Sequence, residues 1–149
     1  MPENTLPSFA AAIALGADEI EFDVRLTSDL KMIVCHDGDV NRVSDRKGDV
    51  GSYDLETLMR CNAGSYLNWY VGFCTPEQII ERYAGRVVMN IHIAEFHPDY
   101  DVPAELRRLL YHYGQLIRHR RAAARHIALH GRLLRGHFFL PLRLFFRCV

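Results

Sequence analysis

A chain of 149 residues with 49% hydrophobic and 24% charged side chains is ordinary globular material. Its length suits one domain and falls short of the roughly 250 residues of a full (β/α)8 barrel. The formal charge of zero conceals a split: residues 1–105 carry all eighteen acidic side chains against eight basic ones, and residues 106–149 carry ten arginines and no acid. No apolar run approaches the roughly 18 residues of a membrane span, and the opening MPENT lacks the basic-then-apolar pattern of a signal peptide.

The elements follow in chain order. Asn4 or Thr5 can cap a helix in which Leu6, Phe9, Ala10, Ile13 and Ala14 recur at helical spacing, with Gly16 as its stop. Residues 20–26 alternate, placing Ile20, Phe22, Val24 and Leu26 on one face of a strand and Glu21, Asp23 and Arg25 on the other. A turn at Ser28 and Asp29 leads to a second strand over residues 31–35, ending at His36-Asp37-Gly38. After a polar loop, Asp54 and Glu56 open a short helix with Leu55 and Leu58 inward, ended by Asn62-Ala63-Gly64. Thr75-Pro76 is a cap followed by proline at the first helical position, and Gly85 ends that helix. Residues 87–93 (VVMNIHI) predict a third strand and residues 103–114 a last helix. Helices alternating with short β-rich strands predict an α/β fold with a mostly parallel sheet.

Two positions apart on one strand, the carboxylates of Glu21 and Asp23 project from the same face, about 7 Å apart along the chain. Such a pair repels unless a cation lies between the two, and oxygen ligands of this kind suit Mg²⁺ or Ca²⁺; the same pattern also fits the solvated face of an edge strand. His36, closing the next strand, is placed for proton transfer if that strand ends at the active face of a parallel barrel. Cys35, Cys61, Cys74 and Cys148 are scattered singly, which argues against a zinc site or disulfide framework and predicts a reducing, cytoplasmic setting.

The order of these features is more specific than any one of them. Residues 2–37, PENTLPSFAAAIALGADEIEFDVRLTSDLKMIVCHD, resemble the start of the glycerophosphodiester phosphodiesterase family, which shares its barrel with phosphatidylinositol-specific phospholipases C. The shared pattern is PENT, an amphipathic helix, GAD, Glu-x-Asp, a Ser-Asp turn and a strand ending in His-Asp; it continues through the Asn41-Arg42 loop to VMNIHI. The resemblance implies a partial TIM-type barrel over residues 1–114, with metal-dependent hydrolysis of glycerophosphodiesters to an alcohol and glycerol 3-phosphate. It assigns Glu21 and Asp23 as metal ligands, His36 as a catalytic histidine, and Glu3 to the substrate side of the site.

Three departures from the family pattern shape these expectations. A His-Arg-Gly strand that precedes PENT in the family, supplying a second histidine and a phosphate-binding arginine, is absent from these residues. The third-strand metal ligand, usually Glu, is here His92; imidazole suits Mn or Zn better than Ca. Glu95 cannot replace it, because an odd step along a strand changes face. The remaining barrel strands are not recognisable in residues 115–149, an Arg-, His- and Leu-rich tail without Asp, Glu, Lys, Ser, Thr or Asn. That composition reads as a shifted reading frame or misassigned end, ahead of a basic element for membrane or nucleic acid. The expected partners are therefore a small phosphodiester and, through open strand edges, a second copy of the chain; no nucleic acid is expected. A non-catalytic remnant that binds metal or phosphodiester is the alternative.

Overall fold

The computed structural model describes the backbone of residues 1–128 and the side chains of residues 1–116. The helices are α1 (Leu6–Ala14), α2 (Leu55–Met59), α3 (Pro76–Tyr83) and α4 (Val102–Ala128). The strands are β1 (Glu19–Leu26), β2 (Met32–Val34) and β3 (Val88–Ile93), forming one sheet in the order β2-β1-β3.

Each element starts for a local reason. At α1 the Thr5 N–H donates to the Ser8 hydroxyl (3.3 Å), and that hydroxyl donates back to the Thr5 carbonyl (2.8 Å). Asp54 caps α2 by accepting from the Thr57 N–H at 2.7 Å. Thr75 and Gln78 form a reciprocal capping box on α3, at 3.2 and 3.0 Å.

One expectation is corrected. The sheet is not mostly parallel: β1 and β3 are parallel, but β1 and β2 are antiparallel, pairing Val24 with Val34 and Leu26 with Met32. Parallel neighbours need a crossover of a dozen or more residues, and residues 27–31 can only turn back. The turn is tight, with Leu30 at φ 54° and Thr27 bonded to Lys31 through both backbone and hydroxyl. The last helix is also longer than expected, running on past residue 114 to Ala128. The expectations for the rest of the tail lie outside the described residues.

Alternation along β1 sorts its side chains as its sequence predicts. Phe22, Val24 and Leu26 are buried on the face that packs on α1, α3 and α4, against Phe9, Ile79, Ile80 and Leu106. A second cluster around Ile33, Val40, Leu58 and Phe73 fills the space beneath the long loop after β2. The opposite face of β1 and β3 is left with Glu21, Asp23 and Arg25 beside Asn90 and His92. That polar face carries the candidate site.

Candidate active site

Parallel pairing aligns Asp23 with His92 across β1 and β3, and Glu21 with Asn90 one step earlier on the same face. Cross-strand neighbours of this kind lie within side-chain reach, and His92 Nδ1 lies 2.8 Å from Asp23 Oδ1. The other oxygen of Asp23 accepts from Asn4 Nδ2 at 3.3 Å. Asn4 lies at φ 52°, a left-handed conformation to which asparagine is better suited than most residues. Asp23 is only 4% exposed, so an anion from the nominally polar face is in fact buried and paired on both oxygens. Glu21 is exposed; partial desolvation and, after it, the neighbouring Asp23 charge push its carboxyl above the usual range.

Glu21, Asp23 and His92 each offer a ligand atom, and these atoms lie within 4.8 Å of one another. Two carboxylates and one imidazole at this spacing fit a divalent cation, with one donor softer than an all-oxygen set.

His36 reaches the same side by a different route from the one expected. Because β2 runs antiparallel, its C-terminal end turns back alongside β1, where the Cys35 N–H donates to the Asp23 carbonyl at 3.1 Å. The His36 ring is exposed, and its Nδ1 lies 2.8 Å from Asp37 Oδ1. The bond to Asp37, then the Asp23 charge, raises its proton affinity above the ordinary histidine value. Arg42 and then His36 hold Asp37 down at about 2. Glu3 lies at the edge of this group with both oxygens on Arg42, at 2.8 and 2.6 Å, which lowers its carboxyl as well.

Strand patterning points to Glu21 and Asp23 and the resemblance adds His92, but neither marks the residues that hold them. Asn4 is read only as a candidate cap, a position that Thr5 takes, Arg42 lies inside a quoted motif without a role of its own, and Arg25 is recognised only as a polar-face residue. Arg25 donates through Nε and NH2 to the His36 carbonyl, at 3.1 and 2.7 Å, and pairs with Glu95 at 3.7 Å. Glu95, the position set aside as a ligand, is thus engaged elsewhere.

Residues 1–130 match the glycerophosphoryl diester phosphodiesterase family. The chain belongs to that family. A glycerophosphodiester phosphodiesterase of Bacillus altitudinis is 31% identical over 140 residues, covering 92% of this chain and 53% of that protein. The crystal structure of a glycerophosphodiester phosphodiesterase from Agrobacterium tumefaciens superposes with a TM-score of 0.68 at 29% identity, covering 76% of this chain and 48% of the other. An Oleispira antarctica phosphodiesterase, solved with its product sn-glycerol-3-phosphate, gives 0.58 at 28% identity, over 62% and 39% of the two chains. The fold is accordingly a partial TIM-type barrel of this family, and the chain spans about half or less of the length of the curated relatives it matches. Among the described residues no helix is long and apolar enough to cross a membrane.

Proposed function

We propose that this chain carries the family's metal-dependent site and hydrolyses glycerophosphodiesters to an alcohol and glycerol 3-phosphate. The observation that supports this reading most is the grouping of Glu21, Asp23 and His92 ligand atoms within 4.8 Å on one sheet face, with His36 brought to the same side by the β1–β2 hairpin. A divalent ion there, Mg or Ca by the two carboxylates and Mn or Zn by His92, would polarise the phosphoryl group and offset charge as the P–O bond breaks.

The chain's own residues supply orientation and proton transfer. Asn4 holds Asp23 from the side opposite His92. With Nδ1 engaged by Asp37, His36 has Nε2 left to take a proton from, or give one to, a diester oxygen. Glu3, the residue expected on the substrate side, engages the Arg42 guanidinium through both of its oxygens. Three buried, unpaired thiols, Cys35, Cys61 and Cys74, fit a reducing cytoplasm.

The test is a coupled assay for glycerol 3-phosphate released from glycerophosphodiesters, with and without added Mg²⁺, Ca²⁺ or Mn²⁺. We expect release that needs the ion, disappears in Asp23→Ala and falls about 100-fold or more in His36→Ala. Activity that survives His36→Ala overturns that residue's role. Ion binding without any release selects the second reading, a non-catalytic remnant that binds metal or phosphodiester.

A further inference from the structure

Away from the three candidate ligands, one set of side chains joins segments far apart in the chain: Glu3 before α1, Asp37 after β2, and Arg42 in the loop that follows. Arg42 is the hub. Its NH1 and NH2 donate to Glu3 Oε2 and Oε1 at 2.8 and 2.6 Å, and its Nε donates to Asp37 Oδ2 at 2.8 Å. The remaining Asp37 oxygen takes the contact with His36 Nδ1, also at 2.8 Å. The main chain of His36 is held separately, by the two bonds from Arg25 to its carbonyl.

A single ion pair on a surface contributes little. This group differs in being directional: each oxygen of both carboxylates has one partner, and the series ends on an imidazole whose own main chain is pinned. An ionised carboxylate only accepts hydrogen bonds, so a 2.8 Å contact with Asp37 requires the hydrogen on Nδ1. In the neutral ring the lone pair is then on Nε2. Rotation of Asp37 would release that choice, and the Nε bond from Arg42 prevents it. Glu3, engaging the other two guanidinium nitrogens in the paired geometry that arginine favours with carboxylates, fixes Arg42 in turn.

We propose that Arg42 is a positioning residue: braced by Glu3, it orients Asp37 so that neutral His36 is held as the Nδ1–H tautomer with Nε2 bare. The proposal rests on the reading of His36 as the proton-transfer group. The charged groups acting on the ring are Asp37, Asp23, Glu3 and Glu21, with Arg42 beyond them.

The tautomer is directly observable by long-range ¹H–¹⁵N NMR of the histidine rings, recorded above the His36 titration on the full chain. In the unaltered protein neutral His36 is expected to show a protonated Nδ1 and an unprotonated Nε2. In Arg42→Gln and in Glu3→Gln that pattern should give way to a mixture, with partial return in Arg42→Lys, while circular dichroism stays unchanged. In turnover Arg42→Gln should lower kcat roughly 10–100-fold with little change in KM. A bare Nδ1 in the unaltered protein, or a tautomer indifferent to Arg42→Gln, overturns the proposal. The two readings fail separately: the expected tautomer without glycerol 3-phosphate release sinks the hydrolase reading alone, and release with an indifferent tautomer sinks the positioning role alone.

Discussion

His36 and Asp37 are neighbours in sequence and act on each other, while Arg42 and Asp23 act on the pair from further along the chain. With its proton affinity raised by Asp37, His36 contributes stability below about pH 6.5, lost as pH rises through its folded value. Asp37 and Glu3 run the other way. Their depressed affinities contribute above about pH 4, and the contribution of Asp37 is lost as pH falls toward about 2. The network is therefore most complete between roughly pH 4.5 and 6.5, whereas a proton-accepting His36 requires a pH above its raised value. Asp37→Asn should bring the His36 NMR titration midpoint down toward the ordinary value of 6.5, and move the ascending limb of kcat/KM to lower pH with it. A midpoint that does not move would show that Asp37 leaves the ring unaffected. At this scale strand alternation assigned Glu21 and Asp23 to one face but left that face open to solvent as readily as to a cation, and only the family resemblance singled out His92. Asn4, Arg25 and Arg42 were not legible, since their importance lies in partners that no local spacing reveals.

The elements were the most legible level. α1, β1 and α3 appear where capping residues and periodicity put them, within the shifts of a residue or two usual at element ends. The direction of β2 was missed through reliance on the alternation of helices and strands, although residues 27–31 are too few for a parallel crossover. α3 shows how much rests on a cap: Thr75 and Gln78 satisfy each other's backbone N–H groups, and the helix they start buries Ile79 and Ile80 completely. Thr75→Ala should cost about 1 kcal/mol, read as a lower denaturant midpoint with an unchanged slope. Burial also accounts for the quiet cysteines. It pushes the Cys35 thiol up to about 11 and that of Cys74 to about 12, far from the thiolate form that reacts.

For the whole molecule, family and architecture were readable from residues 2–37 because several fixed spacings coincide there, whereas the sequence after residue 114 offered no pattern to follow. Among the described residues the sheet has three strands, and no further strand pairs with the outer side of β3. β2 is better protected, since the Val34 N–H donates to the Cys74 carbonyl at 2.9 Å. An unpaired edge invites another chain, so sedimentation velocity should show association that grows with protein concentration. A single monomeric species across that range, melting sharply, would contradict this expectation.

The Asp23–His92 contact spans 69 positions of sequence, while Glu21, Asp23 and His36 share one tight hairpin. Closing a long loop costs more entropy than forming a local turn, so bringing His92 to Asp23 is the entropically costlier part of assembling the site. A cation gripping both sides of that contact would latch β3 to β1. Ion binding and the stability of the β1–β3 pairing would then rise and fall together.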